Sequence, residues 1–146
     1  MPIRSVTPIL NVSDVPKSLA WMEALGWKRS FAWNSGGMIH NAADSNQHGP
    51  ADFAGLCSGE AQLFLCRDAQ GSRGAPLSKD ADPEQSGGVW MSWWCEKPTE
   101  VDALYKVAQK LGFETPHPPT HEPWGVYECW IRHPDGHTFR ISAHLS

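Results

Sequence analysis

A chain of 146 residues is long enough for one domain, or two small halves, to bury a core without disulfide or metal staples, and its 40% hydrophobic and 19% charged residues are those of a globular protein. A net charge of −4 is a mild acidity, which argues only weakly against nucleic acid as a partner. No apolar run approaches membrane-spanning length, and the opening MPIRSVTPIL lacks the apolar centre of a secretion signal, so a cytoplasmic protein without membrane contact is expected.

In chain order, PILNV (8–12) reads as a short strand. The segment NVSDVPKSLAWMEALGW then predicts a helix, with Asp14 as N-cap, Pro16 in the first turn, Leu19, Met22 and Leu25 at helical spacing, and Gly26 as the stop. RSFAW, DFAGLC and AQLFLC follow as strands, the first two separated by NSGGMIHNAADSNQHGP, which predicts a turn or short helix. The stretch CRDAQGSRGAPLSKDADPEQSGG is rich in Gly, Pro, Ser and charge, and residues 67–88 read as a linker.

Beyond it the pattern repeats. VWMSWW is a strand, and PTEVDALYKVAQKLGF predicts a helix capped by Thr99 with Asp102, with Val101, Leu104, Ala108 and Leu111 along one stripe. FET, VYECWI and HTFRIS follow as strands, the last two joined by HPDG, whose Asp-Gly step favours a tight hairpin. Both helices end in Leu-Gly-aromatic, Leu25-Gly26-Trp27 and Leu111-Gly112-Phe113. Such a repeat is the trace of an internal duplication: an α+β chain of modules at 1–66 and 89–146, each strand–helix–strand–strand–strand.

The four cysteines form no CxxC pair and sit in or beside apolar runs, as small buried hydrophobes would. Eight tryptophans exceed what a small core needs and point to an aromatic-lined pocket or interface. Trp21 and Trp27, at a helix and its exit, are assigned to packing. On VWMSWW, Met91 and Trp93 face away from Trp90 and Ser92, so one set belongs to the core and the other to a cavity or interface.

SDVPKSLAWMEALGW near one end and RHPDGHTFRIS near the other, in this order and spacing, resemble the glyoxalase/bleomycin resistance/dioxygenase superfamily, the vicinal oxygen chelate proteins. DFAGL (52–56), EPWG (122–125) and VWMSWW followed by EVDALY are similar to the bleomycin resistance proteins within it. The resemblance implies two βαβββ modules forming cupped mixed sheets, and a homodimer whose clefts are built from both subunits.

It also implies where a metal would be held: near Thr7, within LFLC (63–66), near Val89 and at Arg140. None of these offers a histidine or an acid, and a guanidinium cannot coordinate. His133 and His137 are four apart, but Pro134 and Gly136 make a turn of them, and His117 and His121 are separated by prolines. No metal, cofactor or catalytic residue is therefore expected. Positions that hold planar ligands in the bleomycin resistance proteins fall on Phe31, Phe53, Trp90 and Trp124, all aromatic here. Arg140 shares a strand face with Thr138 and Ser142, and is either half of an ion pair with an acid or an anchor for a ligand carboxylate or phosphate.

The expected function is metal-independent sequestration of a small, partly aromatic molecule, such as a bleomycin-type antibiotic, in dimer-interface clefts. The alternatives are a metal-dependent lyase, isomerase or dioxygenase of the same superfamily with a non-standard site, and a stress or regulatory module that acts through its dimer surface.

Overall fold

The computed structural model describes residues 2–40, 49–68, 73 and 87–145. The chain forms two compact units, Met1–Gly71 and Ser72–Ser146.

The first unit begins with β1 (Ile9–Val12) and α1 (Val15–Ala24), followed by β2 (Lys28–Asn34), a two-residue β3 (Gly37–Met38), β4 (Phe53–Ser58) and β5 (Ala61–Arg67). Asp14 caps α1 by accepting the Lys17 amide at 3.0 Å, and Gly26, at φ +97°, takes the left-handed conformation that ends the helix. The buried side of α1, including Val15, Leu19, Trp21 and Met22, meets β2, β4 and β5. There the alternate residues Ala32, Ala54, Leu56, Leu63 and Leu65 complete a dry core. Trp21 and Trp27 are both buried, as expected of packing residues. The segment expected to hold a turn or helix after β2 makes the tight turn into β3. Buried Asn34 fixes it, accepting the Gly36 amide and donating to the carbonyls of Gly49 and Pro50. Residues 41–48, the rest of that segment, and most of the expected 67–88 linker lie outside the described residues; Arg67 itself closes β5.

The second unit runs β6 (Trp90–Trp94), α2 (Pro98–Lys110), β7 (Glu114–His121), β8 (Val126–Arg132) and β9 (Thr138–His144). The duplication read from the sequence is visible in the pairing. The sheets have strand orders β1-β5-β4-β2-β3 and β6-β9-β8-β7, and in each the first strand lies parallel to the last. Without β3 the two orders coincide.

Three local expectations are corrected. The capping of α2 uses neither Thr99 nor Asp102: Glu100 reaches back to the Lys97 amide at 2.8 Å, while Asp102 accepts the Tyr127 hydroxyl at 2.6 Å and so ties the helix to β8. Leu111 falls beyond the last turn and is exposed, leaving Val101 and Ala108 as the buried residues of α2. FET extends into an eight-residue strand through Pro116, Pro118 and Pro119. An edge strand tolerates residues that cannot donate, and the register of β7 on β8 shifts around His117. Of the cysteines only Cys129 is buried; Cys57, Cys66 and Cys95 are half-buried, and all four are free. Burial pushes the Cys129 thiol up to about 12, where it stays protonated.

Candidate functional site

Period-two alternation assigns the faces of the second sheet. Tyr127, Cys129 and Ile131 on β8, with Phe139, Ile141 and Ala143 on β9, lie on one side, and α2 packs against these strands. Trp93 joins this side and stacks on Phe139 with ring centroids 4.2 Å apart. The other side carries Val126, Glu128 and Trp130 on β8, Arg140 and Ser142 on β9, and Trp90, Ser92 and Trp94 on β6, in register across three strands. Of the two sets on VWMSWW, then, the one containing Trp90 faces outward: Trp90 and Trp94 are 37% and 58% exposed.

On that open side lies a recess of about 200 Å³, lined by Ser92, Trp94, Trp124, Val126, Glu128, Arg140 and Ser142. Its floor is an ion pair. Arg140 donates from Nε to Glu128 Oε2 at 3.0 Å and from Nη2 to Oε1 at 2.8 Å, and Ser142 Oγ adds a third hydrogen bond at 3.0 Å. Glu128 is 1% exposed, so these three bonds replace the water that a carboxylate would otherwise hold. Hydrogen bonding to Glu128 holds the Arg140 guanidinium protonated still more firmly than usual, with burial opposing. Glu128 is the acid that the sequence left unidentified.

Two indoles wall the recess. Trp124 sits on the turn between β7 and β8, closed by bonds from the Glu122 amide to the Val126 carbonyl and from the Gly125 amide to the Glu122 carbonyl. Its ring is largely exposed, with Arg140 Cζ 5.8 Å from the centroid, within cation–π range. Trp94 stacks on His144 at 4.5 Å, nearly parallel. Trp90 lies on the same face, edge-on to Trp130 at 5.0 Å, and Trp130 in turn packs on His117, whose Nε2 is 2.8 Å from Glu122 Oε1.

Phe31 and Phe53 belong to the first unit, on the sheet face opposite the α1 core. With Phe64 they form a three-ring cluster with centroid separations of 5.3–5.5 Å. Gly55 makes room for it, since a Cβ there would lie 2.3 Å from Phe31 Cε1. Of the five residues singled out from sequence, Trp124 and Arg140 thus meet in one recess, Trp90 shares its sheet face, and Phe31 and Phe53 pack together with Phe64 within the first unit. Sequence reasoning missed Trp94, Glu128 and Phe64. All three were legible as period-two partners: Trp94 of Trp90, Glu128 of Trp130 inside VYECWI, and Phe64 within AQLFLC.

The residues at the positions where the superfamily's enzymes hold a divalent ion do not fit one. The Thr7 hydroxyl donates to Gln62, Leu63 and Leu65 are buried apolar residues, Val89 is aliphatic, and Arg140 is a cation already bonded to Glu128. Among the described residues no group of three or more His, Cys, Asp or Glu side chains is placed to hold a metal. His133 and His137 are buried in the β8–β9 turn and line no part of the recess. His133 Nδ1 accepts the Asp135 amide and His137 Nδ1 accepts the Val89 amide, each at 3.0 Å, so both imidazoles clasp backbone.

Solved structures with this fold span different activities. A bleomycin-binding protein complexed with bleomycin is 17% identical with TM-score 0.60, covering 97% of this chain and 99% of its own. TioX from Micromonospora sp. ML1 is 17% identical with TM-score 0.69, covering 97% and 100%. A lactoylglutathione lyase from Agrobacterium tumefaciens is 17% identical with TM-score 0.62, covering 98% and 96%. At such identities the likeness speaks for the fold alone. No curated protein matched the chain. The family model for the Glyoxalase/Bleomycin resistance protein/Dioxygenase superfamily matches residues 4–141, and with the paired strand orders described above this chain belongs to that superfamily.

Proposed function

We propose that the protein is a cytoplasmic, homodimeric, metal-independent binding protein that sequesters a small, partly aromatic molecule, with bleomycin-type antibiotics as the leading class. The observation that carries this reading is the recess whose walls are Trp94 and Trp124 and whose floor is the Arg140–Glu128 pair, at the place where an enzyme of the superfamily would grip a metal. Indole faces offer a flat ligand large, rigid contact area at little entropic cost. Each stacked ring adds about 0.5–1.5 kcal/mol beyond area burial, whereas micromolar affinity requires about 8 kcal/mol. Stacking therefore selects flatness, while buried area and polar contacts from Ser92, Ser142 and Arg140 supply the remainder. Within the first unit, the clustered rings of Phe31, Phe53 and Phe64 offer purely apolar contact area. Protection would come by mass action, with no bond made or broken.

A broad antibiotic panel that includes the bleomycin group tests this by tryptophan emission and melting temperature. Saturable quenching with a raised melting temperature is expected for at least one planar member, and a panel without effect would remove the resistance reading. The second reading, a metal-dependent lyase, isomerase or dioxygenase with a non-standard site, is favoured by the fold shared with a lactoylglutathione lyase and opposed by the donor set among the described residues. One equivalent of zinc, manganese, nickel or iron in the purified protein would reverse that order.

A further inference from the structure

We propose that Glu128 is a positioning residue that sets which ligand charge the recess accepts: by cancelling Arg140, it makes the recess admit uncharged and cationic planar ligands and reject planar anions. The inference rests on the capture reading above and assigns its specificity. Arg140 is the sole cation among the described residues lining the recess, and from sequence it served equally well as an anchor for a carboxylate or phosphate. In the fold its Nε and Nη2 are committed to Glu128 in a two-bond fork, and the charges of the pair sum to zero. An anion that reaches the remaining Arg140 N–H donors meets a guanidinium whose charge is already balanced by a carboxylate that is 1% exposed and fixed in place by three hydrogen bonds. Glu122, on the turn that carries Trp124, also acts on Arg140 electrostatically, in the same sense as Glu128. The indole faces, electron-rich above the ring plane, favour neutral or cationic partners in the same sense.

Three naphthalene probes of one shape test this by calorimetric titration: 1-naphthylmethylammonium, 1-naphthylmethanol and 1-naphthoate. The wild-type protein is expected to bind the ammonium and the alcohol, with naphthoate at least tenfold weaker than the ammonium. Glu128→Gln keeps the volume and an acceptor for Ser142 but uncovers the Arg140 charge; naphthoate should gain at least tenfold, and the ammonium should lose. The double variant Glu128→Gln/Arg140→Gln restores zero charge and should return the wild-type ranking. Naphthoate binding as tightly as the ammonium in the wild type overturns the proposal, as does an unchanged ranking in folded Glu128→Gln. If that variant fails to fold, the wild-type ranking alone decides. Binding without charge preference, or binding of none of the three, refutes this inference and leaves capture to be decided by the antibiotic panel.

Discussion

Lowering the pH should loosen the second unit through His133. This imidazole is 2% exposed, and burial, with His137 nearby, pushes it down to about 4 against a partly compensating Asp135. Its Nδ1 accepts the Asp135 amide at 3.0 Å, a bond that only the neutral ring can make. In the unfolded chain an ordinary histidine protonates near pH 6.5. Between pH 6.5 and about 4 the unfolded state thus binds the extra proton and the folded state does not, so stability falls as pH falls through that window and levels off below it. A depression of this size corresponds to roughly 3 kcal/mol, at about 1.4 kcal/mol per pH unit, a large share of a small domain's stability. Urea unfolding followed by tryptophan emission at several pH values from 7.5 to 4 measures it. The wild-type midpoint should drop across the window, while His133→Asn, whose amide oxygen can accept the same backbone N–H without titrating, should lose most of that dependence. Parallel curves for the two proteins would refute this account of the turn.

Trp124→Ala should weaken capture of a planar ligand by about tenfold, or 1.4 kcal/mol, and shift stability by less than about 0.5 kcal/mol because the ring is 60% exposed; calorimetry and thermal melting separate the two effects. Arg140→Met should destabilise by about 2–3 kcal/mol by leaving Glu128 buried without its partner, and Glu128→Met added to it should recover most of that loss in denaturant titration. Gly88→Ala places a Cβ 2.4 Å from the Gly136 carbonyl oxygen, which is backbone and cannot step aside, whereas the clash at Gly55→Ala is with the Phe31 and Ser30 side chains. The Gly88 variant should therefore lose about 3 kcal/mol or more and the Gly55 variant about 1–2 kcal/mol, read as denaturation midpoints.

The repeat of helix, Leu-Gly-aromatic and strands was legible because local patterning and the fold agree: Asp14 and Gly26 act on α1 as their residue types dictate, and HPDG makes the turn that its Asp-Gly step favours. β7 was only partly legible, because prolines that argue against a central strand are tolerated on an edge. The aromatic residues of the site could be named from sequence, but their grouping could not. Whether Arg140 meets an acid depends on the β8–β9 register that sets Trp130 opposite Arg140 and Glu128 opposite Ser142, and register is a non-local property. For the same reason the role of His133 and His137 emerged only with the turn that buries them.

The most direct single test is a tryptophan-quenching titration of chelator-treated protein with bleomycin. Passive capture in an indole-walled recess requires saturable quenching, with an affinity that neither prolonged chelation nor added zinc, manganese, nickel or iron alters. Binding that appears only once one of those ions is restored would contradict it.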